Sequence, residues 1–274
     1  MELIEYFKVL FIGIVQGITE WLPVSSTGHM ILVDEFVKLN QTPEFMEIFL
    51  VIIQFGSILA VVFLFWEKLF PFKFKGGFEV KQDTMSLWFK VLVGCIPAGI
   101  IGILFDDLIT ELFYNPMTVA IMLIVYGILF IIIENMNKGR QPKYNELSDI
   151  TYRYAFLIGL FQVLALIPGT SRSGATIVGG LLIGSSRYVI AEFTFFLAIP
   201  VMLGASLLKV LKFGLVFTQA QVITLLLGMF VAFAVSVWAI KFLMNYIKKN
   251  DFKPFGYYRI VLGILVILYF TLLA

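Results

Sequence analysis

The residues able to do chemistry in this chain cluster in two polar stretches. The first is Gln16-Gly17-Ile18-Thr19-Glu20, followed at once by Trp21-Leu22-Pro23-Val24-Ser25-Ser26-Thr27-Gly28-His29. Gln16 and Glu20 are four residues apart, so on a helix they share one face and can address the same ligand or cation. His29 is the single histidine of the chain. With an ordinary pKa of about 6.5 and a place close to Ser26, it is suited to moving protons near neutrality. A serine nucleophile needs an adjacent base, and either His29 or Glu20 can serve Ser26. The structural alternatives are that Ser25 and Ser26 cap a helix, that His29 is a satisfied structural residue, and that Glu20 only pairs with Arg172.

The second stretch is Pro168-Gly169-Thr170-Ser171-Arg172-Ser173-Gly174-Ala175-Thr176. A guanidinium offers five donors in a fork that matches phosphate oxygens, and it keeps its charge under all relevant conditions. Hydroxyls of Ser171, Ser173 and Thr176, with the N–H groups of a helix starting near Gly174, add donors for an anion. Glycines at 169 and 174 let the backbone come close. The competing view has Arg172 reaching a carbonyl or a lipid headgroup. Arginine sits so rarely inside a membrane that anion binding is the stronger reading.

The elements that position these stretches follow from composition. Of 274 residues, 60% are hydrophobic and 14% charged, far from the balance of a soluble domain. The lone cysteine, Cys95, excludes a disulfide framework and a cysteine-rich metal site. A net charge of +2 without a long basic block argues against nucleic acid as a partner. Glu2, Glu5 and Lys8 open the chain without a basic segment ahead of a cleavage site, so no removable signal peptide is expected.

Six apolar stretches, about 47–66, 88–108, 116–134, 193–213, 219–244 and 257–274, are long enough to cross a hydrocarbon layer about 30 Å thick. Regions 3–39 and 152–184 are broken in the middle by the two polar stretches, and each reads as a re-entrant helical hairpin. Loops 67–87, 135–153, 185–191 and 245–256 hold Lys68, Lys73, Lys75, Lys81, Lys138, Arg140, Lys143, Arg153, Arg187, Lys248, Lys249 and Lys253. Loops 40–46, 109–115 and 214–218 hold neither Lys nor Arg. The basic group belongs in the cytoplasm, which places both termini outside; Lys8, Lys38, Lys209 and Lys212 run against this. Asp106 and Asp107 read as solvated at an outer span end. Trp66, Trp88, Tyr257 and Tyr258 read as interfacial anchors, and Gln54 and Pro200 as positions beside the hairpins or at a kink.

An offset of 146 residues lays Gly13, Gln16, Ser25, Gly28 and Ile31 on Gly159, Gln162, Ser171, Gly174 and Ile177, with Thr27 on Ser173. Each half is then a hairpin followed by three spans. An odd number of crossings inverts the second half, so the hairpins enter from opposite faces and meet near the midplane. The expected fold is an all-α integral membrane protein of one domain, six transmembrane helices plus two re-entrant hairpins, with inverted-repeat halves at about 1–140 and 147–274.

Taken together, Gln16-xxx-Glu20, Pro23 to His29 and Pro168 to Thr176 resemble the bacitracin-resistance type of undecaprenyl diphosphate phosphatase over nearly the whole chain. The resemblance implies hydrolysis of undecaprenyl diphosphate to the monophosphate, recycling the cell-wall carrier lipid, at a site opening to the outer face of the bacterial plasma membrane. It also implies a divalent cation, Mg2+ or Ca2+, at Glu20 and Gln16; that family accepts glutamate or glutamine at the first of these, and here Glu20 is the one charged group. On this expectation Ser26, His29 and Glu20 are catalytic, and Arg172, Ser171, Ser173, Thr176, Thr27 and Gly169 hold the lipid diphosphate. His29 as the nucleophile is left open. A homodimer is a further alternative, as are a transporter of anions or lipid on the same repeat, with Arg172 as its filter, and a non-catalytic lipid-binding scaffold.

Overall fold

The computed structural model describes residues 3–74, 78–213 and 217–272. Lys75, and the side chains of Asp106 and Lys212, lie outside the described residues. The helices are α1 (Leu3–Thr19), α2 (Ser26–Phe36), α3 (Pro43–Leu64), α4 (Trp66–Leu69), α5 (Gln82–Phe113), α6 (Pro116–Met136), α7 (Tyr152–Val163), α8 (Arg172–Ile183), α9 (Arg187–Phe213), α10 (Gln219–Tyr246) and α11 (Lys253–Leu272). Local sequence sets their starts. Thr42 and Asn115 accept from backbone N–H groups three residues on and are each followed by proline, while Thr218 and Gln221 form a reciprocal capping box.

Helices α3, α5, α6, α9, α10 and α11 are long and apolar enough to cross a membrane. Two are longer than the apolar runs suggest: α5 starts at Gln82 and α9 at Arg187, because polar residues flanking a span can continue its helix into the interface. Helix α9 runs through Pro200, and α5 runs through Pro97 with non-helical backbone at Phe105. The all-helical expectation misses one feature: β1 (Phe72–Lys73) and β2 (Glu79–Val80) pair antiparallel between α4 and α5, Phe72 opposite Val80 and Lys73 opposite Glu79.

Helices α3 and α9 are antiparallel, with Lys209 paired to Glu47 at one end (3.2 Å) and, at the other, Lys68 of α4 paired to Glu192 of α9 (2.5 Å). The Lys68 end gathers the basic loops. There Arg187 grips the buried carboxylate of Glu134, which also accepts from the Phe252 backbone N–H (2.9 Å), tying α6, α9 and the start of α11. The short helices fold back in pairs. Lys8 on α1 donates to the Lys38 carbonyl just past α2 (2.7 Å), and the Gly184 carbonyl just past α8 accepts from the Lys143 N–H ahead of α7 (2.7 Å). Small residues let these pairs approach the long helices. A Cβ on Gly13 of α1 would stand 3.1 Å from the Gly228 carbonyl of α10, and one on Gly159 of α7 would stand 2.5 Å from the Gly94 carbonyl of α5.

Candidate active site

Both polar stretches form turns between short helices. Ser25 (φ 74°) and Ser171 (φ 72°) are the non-glycine residues with positive φ among those described, a conformation that costs an L-residue about 1–3 kcal/mol. Each caps the helix that follows it. Ser25 Oγ accepts from the Gly28 N–H (3.3 Å) and Ser171 Oγ from the Gly174 N–H (3.2 Å). The strained serine thus turns the chain sharply enough to aim the next residue, Ser26 or Arg172, across the gap between the pairs.

Those two residues meet on one carboxylate. Glu20, nearly buried at the end of α1, accepts from Ser26 Oγ (3.0 Å) and Gln16 Nε2 (3.0 Å) on one oxygen, and from Arg172 Nη2 (3.3 Å) on the other. Arg172 also donates to the Thr194 carbonyl of α9 (2.8 Å) and lies 5.8 Å from the Trp21 ring, itself packed edge-on against Phe195. The pairing of Glu20 with Arg172 and the capping by Ser25, both raised as purely structural alternatives, are therefore present. They occupy Ser25 and one Glu20 oxygen and leave Ser26 beside the other.

His29 lies one turn into α2 with both ring nitrogens engaged. Nδ1 is 2.7 Å from the Ser25 carbonyl, which can only accept, so this nitrogen carries the proton; Nε2 then accepts from Tyr258 Oη at 2.6 Å. The imidazole lone pair therefore points at α11, and the carboxylate in contact with Ser26 is that of Glu20. The second turn is less uniform than its sequence suggests. Ser171 and Ser173 share a hydrogen bond (3.0 Å) beside Arg172. Thr176 is fully buried, bonded to the Arg172 carbonyl (2.9 Å) and Thr194 Oγ1 (2.8 Å). Gly169 (φ 91°) sits where a Cβ would be 2.5 Å from the Val119 carbonyl. Its own carbonyl faces Arg259. Thr27 lines a cavity of about 520 Å³ with Met30, Ile31, Met46, Leu50 and Phe270, whose lining also includes Asp34, Glu35, Lys38 and Glu47.

Two residues that hold the site together escape the sequence reading. Tyr258 reads as an interfacial anchor, whereas its hydroxyl holds His29. Arg259 is fully buried and donates to the carbonyls of Pro23 (3.2 Å), Gly169 (2.7 Å) and Thr170 (2.9 Å), holding both turns from α11. A signal existed: Arg259 is the one charge in the run 257–274, and a charge inside a span marks a site by default. Trp21 Nε1, Thr170 Oγ1 and both amide atoms of Gln162 are buried without a hydrogen-bond partner among the described residues. No group of three His, Cys, Asp or Glu able to hold a metal ion occurs among the described residues.

Six apolar helices around a charged, hydroxyl-bearing centre define a multi-pass membrane protein with a polar site embedded between its spans. The chain belongs to the family of the bacitracin resistance protein BacA, whose model matches residues 9–265. It is 66% identical to the undecaprenyl-diphosphatase of Desulfitobacterium hafniense over 99% of this chain and 98% of that protein. It is 63% identical to the undecaprenyl-diphosphatases of Acetivibrio thermocellus and Enterococcus faecalis, over 98% of this chain and 98% of each relative.

Proposed function

We propose that this chain is a membrane phosphatase that hydrolyses undecaprenyl diphosphate to undecaprenyl phosphate and inorganic phosphate. The reading follows from the diphosphatase relatives, and the observation that carries it is the contact series from Ser26 through Glu20 to Arg172. This series puts a hydroxyl, its base and a phosphate-binding cation within reach of one phosphorus. A carrier's filter would need no such base.

In the mechanism, Ser26 Oγ attacks the terminal phosphorus as Glu20 takes its proton. The bond to the bridging oxygen breaks and undecaprenyl phosphate departs with the electron pair. The proton on Glu20 passes to the departing undecaprenyl phosphate; Glu20 then takes a proton from the water that attacks the phosphoserine and returns it to Ser26 Oγ as the bond to phosphorus breaks and inorganic phosphate leaves. Arg172 turns from Glu20 to the phosphate oxygens, with Ser171 and Ser173 beside it, and offsets the charge that shifts toward the leaving group. Thr176 acts by holding the Arg172 backbone, and Gly169 by letting the second turn press against α6. His29 orients the first turn and carries protons through Nε2. Thr27 and the apolar side chains of the cavity beside it, Met30, Ile31 and Leu50 among them, accommodate the start of the prenyl chain.

Glu20 and the amide oxygen of Gln16 fit a hard divalent cation, Mg2+ or Ca2+, only if the diphosphate supplies most of its ligands, since no protein cage is present among the described residues. Bound there, such an ion would neutralise diphosphate charge. The two folded-back pairs, α1–α2 and α7–α8, are re-entrant hairpins of an inverted repeat with halves at about 1–140 and 147–274. Matching strained serines at the 146-residue offset support this, as does the reciprocal packing of α1 on α10 and α7 on α5. The basic loops face the cytoplasm of a bacterial plasma membrane, and the cavity opens outward.

The test is phosphate release from undecaprenyl diphosphate by the purified protein in detergent, with trapping of a phosphorylated intermediate. Label on Ser26, absent in Ser26→Ala, is expected. Full turnover by Ser26→Ala with label on His29 would overturn the mechanism, and no release by the wild type would overturn the function.

A further inference from the structure

The β1–β2 hairpin is amphipathic in a way that the phosphatase reading does not use. Side chains alternate across a strand, and residues directly opposite in an antiparallel pair share a face. Phe72 stands opposite Val80 and, two residues along, Phe74 faces the side of Phe78; Lys73 and Glu79 pair on the other face (3.5 Å). Rings join Phe70, Phe72, Phe78 and Phe74 into a closed circuit, with centroid separations of 5.7, 5.5, 6.1 and 6.2 Å, and Trp66 stacks on Phe70 at 4.6 Å. The cluster is nevertheless uncovered: Phe74 is 69% exposed, Phe78 71% and Trp66 52%.

An aromatic patch of this kind marks a surface that is covered by something. The tether names the occupant. Helix α4 and the hairpin join the ends of two spans, α3 and α5, on the side of the basic loops, and an apolar face tethered between two span ends is placed to meet the edge of a hydrocarbon layer. Lys73 and Lys81 belong to the other face at that end of the spans, where Lys73 pairs with Glu79 and Lys81 Nζ donates to the Glu67 carbonyl (3.0 Å), and long lysine side chains of this kind can reach a headgroup layer.

We propose that this hairpin is an interfacial anchor that inserts its phenylalanine face into the leaflet facing the basic loops and binds anionic phospholipid headgroups through its lysines. The partner is a lipid surface, and the anchor fixes the depth of the α3–α5 junction independently of the reaction.

The full chain carrying Phe78→Trp in a Trp66→Phe background is reconstituted in phosphatidylcholine vesicles with or without phosphatidylglycerol. The fluorescence gained over Trp66→Phe alone is then read. Blue-shifted emission is expected, quenched by lipids brominated near the headgroup and more strongly with phosphatidylglycerol. Lys73→Gln and Lys81→Gln should each lower that lipid-dependent gain, by up to about fivefold per lysine. Phe78→Asp should raise exchange of the 70–81 backbone amides without changing helix content, which separates lost anchoring from misfolding. Emission open to a water-soluble quencher in both vesicles would overturn the proposal. Equal insertion in both would overturn the headgroup role, and protection appearing only with an added soluble protein would make the partner a protein.

Discussion

Ser26 and Arg172 share a carboxylate, and the strengths of those contacts decide what each substitution does. Ser26→Ala removes the attacking oxygen while leaving the capping Ser25 in place, so phosphate release should fall by about a thousandfold or more with the fold intact, measured by turnover beside circular dichroism. Arg172→Lys keeps the charge and loses the fork; a loss of about a hundredfold or more is expected in kcat, with a smaller change in KM, because the planar donors matter most as charge moves in the transition state. Arg259 plays a different part. Replacing it by Met leaves the carbonyls of Pro23, Gly169 and Thr170 without a donor, at about 1–3 kcal/mol for each buried group, partly offset by relief of a buried charge. A net fall of about 3 kcal/mol in stability and a lower Tm are expected by thermal melting; an unchanged Tm would show that the turns hold themselves. Ser26, Glu20 and Arg172 were legible in the sequence because charge and hydroxyl groups are costly in an apolar run. Arg259 gives the same signal, but a basic residue three positions into an apolar run is easily read as an interfacial one, and no local pattern reveals that its partners are the carbonyls of two remote turns.

Helix contacts explain what the sequence periodicity leaves silent. Six spans were evident from length and hydropathy, and two breaks from proline, glycine and serine, yet which helix meets which depends on where backbones can approach. A Cβ on Gly127 of α6 would lie 2.6 Å from the Gly256 carbonyl of α11, and one on Gly256 would lie 2.7 Å from the Gly127 carbonyl, so this crossing rests on interlocked glycines. Gly127→Ala should cost about 1–3 kcal/mol through forced separation, while Gly99→Ala on α5, with nothing within 4 Å of the added carbon, should be nearly neutral; paired melting curves compare them. The short hairpin β1–β2 was missed for a related reason. Alternation over a few residues beside two glycines is too brief a pattern to separate a strand from an aromatic-rich loop.

Across the whole molecule, the charge pattern makes a prediction about sidedness. A cysteine placed at Lys249 should resist an impermeant maleimide added to intact cells, and one at Gln41 should react, in a background with Cys95 replaced; the reverse pattern would invert the orientation. Loop charge alone sets the expected orientation, whereas the meeting of the two turns, seen in the contact of Arg172 with Glu20, was expected only from an odd number of spans in each half. The hydroxyl and carboxylate of the proposed mechanism come from the first turn and the guanidinium from the second, with α11 clamping both. No single half of the chain therefore owns a working centre. Cut within the loop 137–151, the protein should be silent as either fragment and regain turnover when both are made in one cell, as if the enzyme were a heterodimer whose partners happen to share one polypeptide.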